Sequence, residues 1–173
     1  MVANSEAHSL PPVISVVGRS NVGKTTLVVK LIAELKRRGY RVATVKHDVH
    51  GFEIDTPGKD SWRHAEAGSD IVFIASAQRL AMIRRLDREL TIDEITDMAR
   101  DVDILITEGY KRGDKLKIEV SRKEKGQTLL CEASELLAIA SDQPFDLNVP
   151  QFDLDDPVSI VDLLEKELLR KRD

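Results

Sequence analysis

The run Gly18-Arg19-Ser20-Asn21-Val22-Gly23-Lys24-Thr25-Thr26 fits the pattern G-x-x-x-x-G-K-[ST] at every fixed position. Glycines let the backbone wrap close to phosphate oxygens with its amides turned inward. Lys24 supplies positive charge for the β- and γ-phosphates, and Thr25 supplies a hydroxyl for Mg²⁺. A helix that follows such a loop aims its positive dipole end at the same anion. Every residue of the run, Ser20 and Thr26 included, is therefore a candidate nucleotide contact. The pattern demands a buried strand before it and a helix after it, and both are present. Val13–Val17 is a β-branched run that reads as a strand. Leu27, Val28, Leu31, Ile32 and Leu35 recur at helical spacing, with Gly39 as a stop signal. A plain glycine turn between strand and helix explains neither Lys24-Thr25 nor the second glycine.

The rest of the chain repeats the alternation. Strands are expected at 41–46, 102–107, 116–121 and 136–140, and helices at 59–67 and 92–99. Gly68 closes the first of these helices, and Thr91-Ile92-Asp93-Glu94 opens the second as a capping box. Asp156-Pro157 opens the last helix, which should bury Ile160, Val161, Leu164 and Leu168. Two apolar runs, 70–76 and 79–86, join at Ala77-Gln78 and read as a hairpin. These signals predict an α/β fold with a mostly parallel sheet, flanking helices and an antiparallel hairpin at one edge. The length of 173 residues suits a loose leader over 1–11 and a single nucleotide-binding domain over 12–173. Scarce aromatics leave the core to Val, Ile and Leu, as in many parallel sheets.

Composition narrows the partners. A net charge of −4 makes no general electrostatic case for nucleic acid or membrane. Basic clusters at Arg84-Arg85 and Arg170-Lys171-Arg172 read as solvated faces or helix ends. The single cysteine, Cys131, cannot form an internal disulfide and fits a reducing cytoplasm. No stretch is long or apolar enough to span a bilayer, and the first dozen residues lack the apolar core of a signal peptide.

In a parallel sheet, ligands gather at the carboxyl ends of strands. Chemistry is therefore expected in the segments 18–25, 46–60, 107–112 and 141–144. The strand Asp103-Ile104-Leu105-Ile106-Thr107, with its apolar centre, leads into Glu108, an acid placed to hold Mg²⁺ or to polarise water. The loop after the second strand carries Lys46, His47, His50, Asp55, Lys59, Asp60 and Ser61. Asp55 is a candidate for a Mg²⁺-bound or attacking water, and Lys59 for phosphate. On residue type alone each would pass as a solubilising loop residue. Their density at a strand end favours a site. His47, His50, His64 and Cys131 raise a transition-metal reading, but no C-x-x-C, H-E-x-x-H or His-rich tract supports it. Neither a G-x-S-x-G elbow nor a G-x-G-x-x-G fingerprint occurs.

From about Pro12 to the last helix the chain resembles the molybdopterin-guanine dinucleotide biosynthesis adapter proteins, the B proteins of that pathway. The resemblance rests on Gly18–Thr25, Lys46-His47, His50, Asp55-x-Pro57-Gly58-Lys59-Asp60-Ser61, Glu108-Gly109-Tyr110-Lys111 and Ala140-Ser141-Asp142. It implies a GTP-binding accessory protein, a weak Mg²⁺-dependent GTPase, that forms homodimers. Its implied partner is molybdopterin guanylyltransferase, protein A of the pathway, which joins GMP from GTP to molybdopterin. Arg19 holds the loop position from which, in a related dimeric class, a lysine reaches the partner's nucleotide. Asp142 is the candidate base reader, because a carboxylate accepts both guanine N1–H and the 2-amino group. The usual N-K-x-D guanine motif is absent. Slow hydrolysis is expected, on the order of 10⁻⁴ per second for a loop of this kind without an arginine finger. A metallochaperone-type GTPase, a small-molecule kinase on the same loop and an adapter that uses nucleotide only as a switch stand as alternatives.

Overall fold

A computed structural model of the chain describes residues 10–48 and 51–169. His50, most of the expected leader and Arg170-Lys171-Arg172 lie outside the described residues. The chain packs as two units, one from residues up to 47 together with those from 92 onward, the other from 48–91.

The larger unit holds a six-stranded sheet in the order β2-β5-β1-β6-β7-β8. Its strands are β1 (Val13–Val17), β2 (Val42–Lys46), β5 (Ile104–Glu108), β6 (Lys117–Ser121), β7 (Leu136–Ser141) and β8 (Gln151–Phe152). Every pairing in it is parallel. Helices α1 (Lys24–Arg37), α3 (Ile92–Asp97) and α4 (Pro157–Glu167) belong to the same unit. Successive strand residues point to opposite faces. One face carries Ile14 and Val16, Ile104 and Ile106, Ile118 and Val120, Ala138 and Ala140. These join Leu27, Leu31 and Leu35 of α1 and Ile160, Val161 and Leu164 of α4 in one core. Burying each Leu or Ile side chain stabilises the fold by about 1.5–3 kcal/mol. The alternate residues include polar ones. Ser15 and Thr107 are buried and pair through their hydroxyls at 2.9 Å.

The expected helices form where their signals stand. Gly39, at φ 88°, turns the chain after α1. Asp156 caps α4 by accepting from the Ser159 amide at 3.0 Å, with Pro157 in the first turn. Leu168, expected among the buried residues of α4, is partly buried, and Leu169 is buried instead.

The smaller unit contains α2 (Asp60–Glu66) and the hairpin β3 (Ile71–Ala75) to β4 (Leu80–Arg84). The hairpin is antiparallel, with Phe73 opposite Met82 and Ile74 opposite Ala81. Ser76 closes its turn, where the Arg79 amide donates to the serine hydroxyl at 3.1 Å. Arg85 ties the hairpin to α2 through the Ala65 carbonyl at 2.8 Å. The hairpin's place corrects the expectation of an edge position. The edges of the large sheet are β2 and β8, and the hairpin is a sheet of its own. The physical reason is its location in the segment between β2 and α3, which packs as a separate unit.

One charged strap joins α1 to α4. Arg38 donates to Glu34 at 2.7 Å, Asp162 at 2.6 Å, Glu165 at 2.8 Å and the Val158 carbonyl at 3.2 Å. Arg37 grips both oxygens of Glu34, each at 2.7 Å. Hydrogen bonds from Arg37 and then Arg38 hold the Glu34 carboxyl down at about 2. A carboxyl depressed on folding stabilises the native state above its unfolded pKa, about 4.3, and loses that contribution as pH falls toward its folded value. Glu34→Gln is therefore expected to melt below the wild type at pH 6–7. The gap should close below pH 4 and vanish near pH 2, as read from thermal melts across that range. A gap that is independent of pH would rule this account out.

Candidate nucleotide site

The site is built where β1 hands over to α1. Gly18 has φ 147°, and a Cβ there would stand 2.3 Å from the Val120 carbonyl oxygen of β6. The loop can leave β1 only by passing this close to β6, so no side chain fits. Asn21, at φ 58°, and Gly23, at φ 100°, complete the curl. Gly23 is the N-cap of α1. Val22 is buried beneath the loop, while Arg19, Ser20, Asn21, Thr25 and Thr26 are exposed. The Lys24 ammonium folds back and donates to the Arg19 carbonyl at 2.8 Å, which sets it over the loop backbone.

Parallel pairing of β1 and β5 brings the acid to the same place. Val16 lies level with Glu108, two residues before Gly18. The Thr25 hydroxyl donates to Glu108 Oε1 at 2.6 Å. The structure thus joins Lys24, Thr25 and Glu108, three residues separately nominated by sequence. The Glu108 turn is fixed by Gly109 at φ 107° and Tyr110 at φ 55°. The Tyr110 ring stacks on His47 with centroids 4.5 Å apart. A hydroxyl and a carboxylate are hard oxygen donors of the type Mg²⁺ takes alongside phosphate and water.

Asp142 stands just past the end of β7. Its Oδ1 accepts from the Lys123 amide at 2.8 Å, and its Oδ2 lies 3.8 Å from Arg122 Nη1. Arg19 turns toward its own chain and donates to the Thr128 hydroxyl at 3.1 Å. Asp55 and Lys59 belong to the smaller unit. One Asp55 oxygen accepts from the Thr56 amide at 2.8 Å, and the other is buried with no hydrogen-bond partner. Lys59 is the N-cap residue of α2.

Several residues at the site escape the sequence reading. Arg122 follows β6 as Gly18 follows β1, yet its strand end is absent from the four segments singled out above. Arg122 Nε donates to the Val22 carbonyl at 3.0 Å. The segment after it is pinned by Glu119, which is buried on β6 and accepts the Leu130 and Cys131 amides at 2.7 and 3.0 Å. Gln143 holds the same segment through the Gly126 carbonyl at 2.9 Å. The one available signal was positional, since Arg122 is the first residue past a strand beside β1.

His50 lies outside the described residues, so the transition-metal reading rests on His47, His64 and Cys131 alone. Among the described residues no three His, Cys, Asp or Glu side chains form a group able to hold a metal ion. Burial, with the Glu119 carboxylate beside it, pushes the Cys131 thiol up to about 12, so it is protonated at neutral pH. No helix among the described residues is long and apolar enough to cross a membrane.

Gly18→Ala is expected to cost about 3 kcal/mol or more, because the new methyl meets backbone. At Gly39 a Cβ would meet open space, so Gly39→Ala is expected to cost only about 1 kcal/mol for its left-handed backbone. Urea unfolding of the two variants tests the contrast, and equal losses would refute the contact with Val120.

Comparison with known proteins identifies the family of the chain. The family model described as "Molybdopterin guanine dinucleotide synthesis protein B" matches residues 13–142. A molybdopterin-guanine dinucleotide biosynthesis adapter protein of Haemophilus influenzae is 33% identical over 91% of this chain and 89% of its own length. The adapter protein of Escherichia coli is 32% identical over 88% of this chain and 91% of its own. The crystal structure of Bacillus subtilis MobB superposes with a TM-score of 0.73 at 27% identity, covering 93% of this chain and 99% of that one. The chain belongs to the molybdopterin guanine dinucleotide synthesis protein B family.

Proposed function

We propose that this chain is a GTP-binding accessory protein of molybdopterin guanine dinucleotide synthesis, with slow Mg²⁺-dependent GTP hydrolysis. The observation that carries the reading is the convergence of Lys24, Thr25 and Glu108 at the end of β1, in a chain of this family. The loop amides and Lys24 bind the β- and γ-phosphates. Thr25 and Glu108 would hold Mg²⁺, which when bound neutralises phosphate charge. Asp142 reads the guanine edge with the acceptor capacity its carboxylate retains. Asp55, a carboxylate on the loop that follows β2 in the sequence, is a further proposed group for the metal or for an attacking water. Lys59 supplies further positive charge for phosphate. The partner is the guanylyltransferase that joins GMP to molybdopterin, and the setting is the cytoplasm.

A homodimer accounts for the hairpin. Phe73, Ile74, Leu80 and Met82 are all exposed, with Phe73 and Leu80 at 59% and 69%. A two-stranded ribbon is marginal alone and gains stability when its apolar faces are covered. A second copy would cover them, and would also give Arg19 a nucleotide to reach in trans.

Titration with labelled GTP and ATP, with and without Mg²⁺, tests the proposal. Preference for GTP that depends on Mg²⁺ is expected. Lys24→Ala should lower affinity by about a hundredfold without unfolding the chain, and Asp142→Asn should erode the preference for GTP over ATP. Undiminished affinity in Lys24→Ala would overturn the site, and a preference for ATP would bring the kinase reading forward. Light scattering should give the mass of a dimer, and Phe73→Asp with Leu80→Asp should give a monomer. A wild-type monomer would remove the homodimer.

A further inference from the structure

Arg122 occupies a position that no part of the nucleotide reading assigns. The sheet order places β6 between β1, which delivers the phosphate loop, and β7, which delivers Asp142. The registers put Val17 level with Glu119 and Ser121 level with Ser141. β6 thus runs two residues past the level of Val17, and the first side chain beyond it comes level with the end of β7, past the point where the phosphate loop leaves β1. That side chain is a guanidinium, a planar fork whose donors point in fixed, different directions.

The fork reaches both sides. Nε donates to the Val22 carbonyl at 3.0 Å. Nη1 faces Asp142 Oδ2 at 3.8 Å. Nη2 and Nε lie 3.7 and 3.8 Å from where a Cβ on Gly23 would stand, an ordinary contact distance that sets the guanidinium beside the last loop residue before Lys24. Asp142 is held from the opposite side by the Lys123 amide at 2.8 Å. The chain of contacts runs from loop carbonyl to Arg122, to Asp142, and back to the residue after Arg122.

We infer that Arg122 is a positioning residue that straps the phosphate loop to the Asp142 strand end and so couples phosphate binding to base recognition. The inference rests on the GTP reading above for its ligand, and on the ligand-free geometry for the strap itself. A lysine would keep the charge near Asp142 but would present one ammonium instead of a fork. It would not hold Val22 and Asp142 together. Charge alone and strapping therefore predict different behaviour for Arg122→Lys.

Two experiments decide it. In ligand-free protein, backbone amide exchange over residues 19–23 is expected to quicken in Arg122→Ala; unchanged exchange overturns the strap. In nucleotide titrations, Arg122→Ala is expected to weaken GTP and GDP binding about tenfold and to narrow the GTP-to-ATP ratio. Arg122→Lys should recover only part of either loss. Adding Asp142→Asn to Arg122→Ala should cost less than Asp142→Asn costs alone, because the coupled contact is already gone. Two losses that simply multiply, or full recovery by Lys, would overturn the coupling. Tripolyphosphate serves as the base-free probe, and equal weakening of it and of GTP with an unchanged GTP-to-ATP ratio would reduce Arg122 to a phosphate-side cation and overturn the inference. Wild-type protein that bound neither nucleotide would remove the GTP reading by itself, and the strap would then be judged by amide exchange, which uses no nucleotide.

Discussion

The site depends on the close passage of the Gly18 backbone against the Val120 carbonyl. At 2.3 Å from that oxygen no Cβ fits, so the loop can turn out of β1 only because the residue there is glycine. That passage fixes where Gly23 caps α1, where Lys24 and Thr25 stand and how near β6 the loop lies. The parallel register then does the rest. Glu108 reaches Thr25 because β5 is paired with β1 at Val16, and Arg122 reaches Val22 because β6 is paired with β1 on the other side. Functional groups far apart in the chain meet because adjacent parallel strands deliver their carboxyl ends to the same side of the sheet.

The core that holds this register is apolar on the helix-facing side and mixed on the other. Ile14, Val16, Ile104 and Ile106 pack with α1 and α4, while Ser15, Thr107 and Glu119 are buried with their hydrogen bonds made. Buried polar groups are tolerated when satisfied and are costly when orphaned. Glu119 illustrates the use of that rule. Its carboxylate takes two backbone amides from residues 130 and 131, which anchors the far end of the segment that starts at Arg122. The same segment is held by Asp142 at its start, through Lys123, and by Gln143 nearer its middle, through Gly126. Four side-chain contacts thus give a loop of little regular structure a defined path beside the phosphate loop.

Much of this was legible in the sequence, and the reason is local. Gly18–Thr25, the helical spacing of Leu27 to Leu35 and the Asp156-Pro157 cap are patterns in which each residue's role is set by near neighbours. Glu108 was legible because an acid after an apolar strand is one step from the loop in such a sheet. The hairpin was legible as a hairpin but not as a separate sheet, since pairing partners beyond the turn are a tertiary choice. Arg122 was illegible for a different cause. Nothing in Val120-Ser121-Arg122-Lys123 distinguishes a strap from a solvated arginine until β6 is placed between β1 and β7. The end of β8 escaped for the same reason, a two-residue strand whose only warrant is its pairing with β7.

Arg19 makes a cis contact in the structure, and on the homodimer proposal the same side chain would serve in trans. Its guanidinium donates to Thr128 of its own chain at 3.1 Å in an exposed setting. A net hydrogen bond contributes about 0.5–1.5 kcal/mol. The guanidinium is ionised in both contacts, but a phosphate oxygen brings the opposite charge that the Thr128 hydroxyl lacks. Releasing Thr128 therefore costs less than a nucleotide contact would return. The contact with Thr128 is then a resting position beside the loop, and it keeps the arginine folded over Gly126 rather than extended into solvent. An arginine stored this way loses little side-chain entropy when it engages an anion, because it is already ordered. The exposed faces of the hairpin and the resting place of Arg19 belong to one economy: surfaces and side chains whose best partner, on the reading of a homodimer, is supplied by another copy.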